Sequence, residues 1–175
     1  MKTKIIAIAL CLMTIGSGLS AQDSMFYEKH SGVLNLGVGI GGYSAPVGRA
    51  MSVFNVNYEL GITPNFTLAP FLTFYTYSDG NYTDMVIPVG VKGTYYFDQL
   101  FHAGANWDFY AAGSLGLAII GTSWNSNYIG DRNYYQTTNP LYLDFHLGTE
   151  YHLSQYFGIF LDLSTKVSSI GIAIH

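Results

Sequence analysis

The chain has 175 residues, with 7 Lys and Arg against 11 Asp and Glu, and only 10% of its residues are charged, far below the ~25% of an ordinary soluble domain. It holds one Cys, 20 Gly and 15 Tyr. An acidic balance without a basic run excludes a nucleic-acid surface, a single Cys excludes a disulfide framework, and so little charge dresses a soluble exterior poorly.

Residues 1–21 read as a signal peptide. Lys2 and Lys4 give the positive start, Ile5 to Ile15 the apolar run, and Leu19-Ser20-Ala21 a small-residue cleavage site before Gln22. Thr14, Gly16, Ser17 and Gly18 interrupt the run, which falls short of the ~20 apolar residues that a spanning helix needs. Cys11 follows Leu10 inside the apolar run, unlike a lipidated Cys. Cleavage removes that Cys and two Lys, leaving 5 basic against 11 acidic residues and a formal charge of −6. Residues 22–32 form an N-terminal segment, and 33–175 a single domain.

That domain has no 3.6-residue apolar stripe. Its Gly, Thr, Tyr and Val content suits strands, and eight segments alternate with period two. The first, about Val33 to Gly42, sets Leu34, Leu36, Val38 and Ile40 against Asn35, Gly37, Gly39 and Gly41. The second, about Ser52 to Ile62, sets Phe54, Val56, Tyr58 and Leu60 against Asn55, Asn57 and Glu59. A third runs from Phe66 to Tyr77. The fourth, Met85 to Phe97, opposes Ile87, Val89, Val91 and Tyr95 to Gly90, Lys92, Thr94 and Tyr96. The fifth, Trp107 to Gly121, opposes Phe109, Leu115, Leu117 and Ile119 to Asp108, Tyr110, Ser114 and Gly116. The sixth, Leu141 to Leu153, is the clearest, with Leu141, Leu143, Phe145 and Leu147 on one side and Asp144, His146, Glu150 and His152 on the other. The seventh, Phe157 to Lys166, opposes Ile159, Leu161 and Leu163 to Asp162, Ser164 and Lys166, and the eighth is Ser169 to His175.

Strict alternation marks strands whose two faces meet different media. With an export signal, it predicts an all-β, eight-stranded antiparallel up-and-down transmembrane β-barrel with lipid outside and a polar interior. Tight connections at Thr63-Pro64-Asn65 and Leu153-Ser154-Gln155-Tyr156 alternate with long ones, the longest running from Gly121 to Pro140. Two connections break the alternation: Asp98 to Asn106 is long for a periplasmic turn, and the last hairpin, near Val167 and Ser168, is short for an external loop. Strand direction then gathers Tyr58, Phe66, Tyr95, Phe97, Trp107, Phe109, Tyr151 and Phe157 on the outward face at one rim, the pattern of an aromatic girdle at a membrane interface. Phe74, Tyr43 and Tyr82 are candidates at the other rim.

On this pattern the chain resembles the small OmpA/OmpX-like outer-membrane β-barrel proteins, and most of all their Tyr-rich versions in Bacteroidota. The resemblance runs from about Val33 to His175. It implies residence in the outer membrane, contact with its lipid, and insertion by the barrel-assembly machinery. Members of this family typically end in an aromatic residue read by that machinery; here either His175 serves in that place or the final strand is atypical. No peptidoglycan-binding domain follows, so an anchoring role is not implied.

The expected interior set is Glu59, Lys92, Asp108, Asp144, His146, Glu150, His152, Asp162 and Lys166. A barrel of eight strands is wide enough only to be filled by side chains, so these groups predict a hydrogen-bonded plug rather than a pore lining. Three chemical readings compete with that plug. His146, Glu150 and His152 share a face and carry zinc-ligand types, but six strand residues separate the two His, about 20 Å. Ser164, His152 and Glu150 supply the types of a hydrolytic triad in a lipid-modifying barrel, without a spacing that fixes its geometry. GVGIGG at 37–42 has the glycines of a phosphate loop but no helix after it, and alternate glycines relieve crowding in a narrow barrel. No cofactor or metal is assigned.

Trp124, Tyr128, Tyr134 and Tyr135 in the longest loop lie among Asn, Ser and Thr, a mixture found on recognition surfaces and also tolerated in idle loops. The reading is therefore a non-enzymatic outer-membrane barrel, structural or binding an extracellular ligand through its loops. A soluble exported barrel of lipocalin type, apolar faces inward around a ligand, is the alternative.

Overall fold

The computed structural model describes residues 32–41, 51–79, 82–97, 106–124 and 140–175. The signal peptide, the segment 22–31, Tyr43, Tyr128, Tyr134, Tyr135 and most of the connection at 98–106 lie outside them. Eight strands run in chain order: β1 (Val33–Gly41), β2 (Met51–Thr63), β3 (Phe66–Asp79), β4 (Tyr82–Tyr96), β5 (Trp107–Trp124), β6 (Leu141–His152), β7 (Phe157–Ser164) and β8 (Val167–Ile174). Each pairs antiparallel with the next, and β1 closes on β8 from Leu34↔Ile174 to Gly41↔Val167. The end at which β2 meets β3, β4 meets β5 and β6 meets β7 is called here the lower rim.

Period-two patterning decides which face looks out. Val91, Leu115, Leu143 and Phe145 are 48%, 58%, 47% and 68% exposed, while their chain neighbours Lys92 and Asp144 are 6% and 1% exposed. Among the described residues, Glu59, Asp108, Glu150 and Asp162 are buried as well. The charges point to the axis and the apolar side chains point out, which is incompatible with the lipocalin-type arrangement. On β5 the outward face remains apolar through Ile119, then becomes Gly121 and Ser123 near the upper rim.

The structure corrects three details. First, the interior is not uniformly polar: Val53, Tyr75, Val86, Ala118 and Val167 pack together toward the upper rim, and Val33, Phe160 and Ala173 form a second apolar group lower down. Filling those levels with hydrocarbon avoids desolvating polar groups that would have no partner. Second, β7 stops at Ser164, so Lys166 lies in the turn rather than on the strand, half-buried, and β8 begins at Val167. Ser164 causes the early turn. Its Oγ accepts from the Val167 amide at 2.7 Å and the Lys166 amide at 3.2 Å, and its O–H lies within donating distance of the Val167 carbonyl at 2.7 Å. Such local side-chain bonds offer the backbone an alternative to the ladder. Third, Trp124 belongs to the end of β5, paired with Tyr82, their rings 5.4 Å apart. The interior glycines of β1 do make room: a side chain on Gly37 would strike Asn55 and the Phe160 ring.

Candidate functional site: the charged interior

Because alternate residues of every strand enter the lumen, side chains far apart in sequence meet across it. Four clusters result.

The central cluster is organised by Asp162 on β7. Lys92 reaches it from β4, Nζ to Oδ2 at 2.8 Å, and the Tyr110 hydroxyl donates to the same oxygen at 3.1 Å. His146 Nδ1 lies 2.8 Å from Oδ1, and the other ring nitrogen lies 2.9 Å from Ser114 Oγ. The ammonium also stands 5.1 Å from the centre of the Tyr110 ring, a cation–π distance. A buried ion pair repays its desolvation only when its remaining valences are met. Here the carboxylate is met on both oxygens.

Above it, Asp144 collects donors from its own strand and the neighbouring hairpin: Tyr142 Oη at 3.0 Å, and from the hairpin Ser164 Oγ at 2.9 Å, Thr165 Oγ1 at 2.8 Å and the Lys166 amide at 2.8 Å. Below it, Glu59 accepts from Asn35 Nδ2 at 3.0 Å, Thr67 Oγ1 at 2.5 Å and Tyr96 Oη at 2.8 Å. Charge-assisted bonds of this kind stabilise a buried carboxylate.

At the lower rim the fourth cluster joins β5, β6 and the residue after β8. His152 Nε2 lies 2.7 Å from Asp108 Oδ2, and His175 Nε2 lies 2.7 Å from Glu150 Oε1. His175 is held there by its amide, which donates to the Tyr156 carbonyl at 3.0 Å.

Of the expected interior set, Glu59, Lys92, Asp108, Asp144, Glu150 and Asp162 are buried, His146 and His152 are half-buried on their strand, and Lys166 does not sit on a strand. His146 and His152 fall into different clusters, so the metal set read from one strand face is not assembled. Ser164 bonds to Asp144 near the upper rim and pairs in register with His146, whereas His152 bonds to Asp108 at the lower rim. The triad types are thus separated by half the barrel. His175 is the participant that sequence reasoning missed. Its signal was available: β6 and β8 end at the same rim with only β7 between them, so the His at each end must come close.

The eight expected rim aromatics gather at the lower rim. Phe66 pairs with Tyr95 and Trp107 with Tyr151, the latter rings 4.8 Å apart, and Trp107 also stacks on Phe109 at 6.2 Å. Tyr58 pairs with Leu34 and Phe157 with Ile174, and the Phe97 amide donates to the Phe109 carbonyl at 2.9 Å. Tyr58, Tyr95, Trp107, Tyr151 and Phe157 are exposed; Phe66, Phe97 and Phe109 are half-buried. Phe74, exposed, lies at the other end beside Phe54.

Between the side chains a cavity of about 40 Å³ is lined by Asn55, Asn57, Thr73, Lys92, His146 and Asp162 among others. A second, of about 10 Å³, lies beside Glu59, Tyr96 and Glu150. These volumes hold a few waters and one water respectively, and their polar walls suit water.

The fold is that of the transmembrane β-barrels: all-β, closed, eight antiparallel strands. It is similar to Neisserial surface protein A (TM-score 0.58, 13% identity, covering 81% of this chain and 95% of that one). It is also similar to the N-terminal β-barrel domain of Pseudomonas aeruginosa OprF (TM-score 0.52, 14% identity, 82% and 97%) and to a de novo designed transmembrane β-barrel (0.50, 13%, 84% and 98%). No family model matches the sequence, and no curated protein matches it.

Proposed function

We propose that this chain is an integral outer-membrane β-barrel protein of the small OmpA/OmpX-like kind, most akin to the Tyr-rich barrels of Bacteroidota. In this reading it is exported by residues 1–21 and inserted by the barrel-assembly machinery. The observation that carries the proposal is the inside-out arrangement. Leu and Ile side chains such as Leu117, Leu147, Leu161 and Ile170 are 56%, 63%, 45% and 53% exposed around the whole wall. A soluble protein does not leave an apolar belt of that extent in water, whereas acyl chains solvate it and the rim aromatics sit at headgroup level. The similarity to solved outer-membrane barrels supports the same reading.

The plugged interior supports a closed barrel rather than a conducting pore, and a structural or surface-binding role rather than catalysis. Binding falls to the connection between β5 and β6, whose sequence carries Tyr128, Tyr134 and Tyr135 among Asn, Ser and Thr, next to Trp124 at the end of β5. Envelope fractionation followed by electrophoresis with and without boiling tests the proposal. The protein is expected in the outer-membrane fraction, with a mobility that shifts on heating. Recovery from the aqueous fraction overturns it.

A further inference from the structure

The lower-rim cluster brings together side chains of the types that ligate metals. Asp108 and Glu150 are directly paired across β5 and β6, both on the inward face, 0% and 4% exposed. Two carboxylates facing each other in this way repel, and burial increases the repulsion. Among the described residues the buried acids are Glu59, Asp108, Asp144, Glu150 and Asp162, against one buried ammonium, Lys92, which is committed to Asp162 at 2.8 Å. At the lower rim Asp108 and Glu150 thus set two buried carboxyl groups beside the imidazoles of His152 and His175.

The orientation of those imidazoles narrows the choice of cation. With His152 Nε2 at 2.7 Å from Asp108 Oδ2, its Nδ1 faces Glu150, 3.8 Å from Oε1. A carboxylate on the far ring nitrogen is the second-shell pattern of zinc-bound His. One ligand atom each from Glu150, His152 and His175 lie within 4.8 Å of one another, and the two His rings are 4.9 Å apart. Bond lengths of ~2.0–2.2 Å around a tetrahedral ion place ligand atoms roughly 3.4 Å apart, so the three ligand atoms must draw somewhat closer to hold an ion. Gly158 is part of the construction: a side chain there would collide with the Glu150 carboxylate, so glycine is what lets that group lie over β7. The His152 and His175 side chains remain 13% and 14% exposed, which leaves an ion a route in from the lower rim.

We propose that Glu150, His152 and His175 bind a zinc ion, with Asp108 orienting His152 and the fourth position open. Mixed imidazole and carboxylate ligands suit Zn²⁺ over Ca²⁺ or Mg²⁺. The site does not depend on what the upper loops bind.

The test uses the folded full chain in detergent, without a polyhistidine tag, titrated with Zn²⁺ against a chromophoric chelator. About one ion per chain is expected, with binding lost in His175→Ala and His152→Ala, weakened about 10- to 100-fold in Asp108→Asn, and unchanged in His146→Ala. Histidine modification read by mass spectrometry on the unaltered chain supplies a measurement independent of any variant's folding. Zn²⁺ is expected to protect His152 and His175. Absence of stoichiometric binding by the folded chain overturns the proposal, as does binding undiminished in both Ala variants or protection falling on His30, His102 or His146 instead.

Discussion

Lys92 on β4 and Asp162 on β7 are 70 residues apart in sequence and 2.8 Å apart across the lumen. Two strands lie between them in the barrel wall, so this contact braces opposite sides of the cylinder rather than neighbouring strands. Its value to the fold depends on both partners being present.

Lys92→Met leaves Asp162 buried with one cationic partner fewer. It is expected to destabilise the barrel by about 3–5 kcal/mol, the usual cost of breaking a buried pair from one side. Lys92→Met combined with Asp162→Asn is expected to recover most of that loss. Urea unfolding in lipid vesicles, followed by Trp fluorescence, measures both. A double variant no more stable than the single one would show that the pair is not coupled.

Asp144→Ala removes the acceptor of four donors, three of them at or beside the Ser164–Val167 turn. The local consequence is opening of the β7–β8 hairpin. Hydrogen exchange at the Lys166 and Val167 amides is expected to rise more than exchange at the β4–β5 amides, while the barrel still folds.

Gly148 lies directly opposite Tyr110, and a side chain there would run into the Tyr110 ring. Gly148→Val must swing that ring off Asp162, which it contacts at 3.1 Å. Overpacking in a rigid interior costs about 1–3 kcal/mol. A lowered urea midpoint with unchanged slope is the expected result, and Gly113→Ala, where a methyl group meets nothing within 4 Å, is the control.

Val91→Lys puts a charge on the outward face of β4, where Leu115 and Pro70 flank it in register. If that face meets acyl chains, the cost is about 2–4 kcal/mol near the bilayer midplane and far less near an interface. Unfolding from vesicles of the Val91→Lys variant and of a Thr83→Lys variant near the upper rim compares the two depths. Equal effects at both positions would count against a membrane around β4.

How much of this was visible in the residues varies by element. Leu141 to His152 declares both its strand and its two faces, because lipid-like and polar surroundings impose opposite demands on successive residues. The same rule put Lys92, Asp108, Glu150 and Asp162 inside. It did not reveal Val53, Tyr75 and Val86 as an inward apolar layer, since an apolar side chain near a rim satisfies either face. Alternation sets the end of β7 and the start of β8 two residues late, because Ser164 stops its strand through side-chain bonds to the turn, a local effect that alternation does not register.

Alternation along each segment was enough, from sequence alone, to determine the all-β barrel, the direction of each strand's faces and the gathering of aromatics at one rim. Which charge meets which was decided only by closure of the sheet. Strand tilt and register bring Lys92 to Asp162, split His146 from His152, and deliver His175 to Glu150, and these offsets accumulate around all eight strands rather than within any one of them.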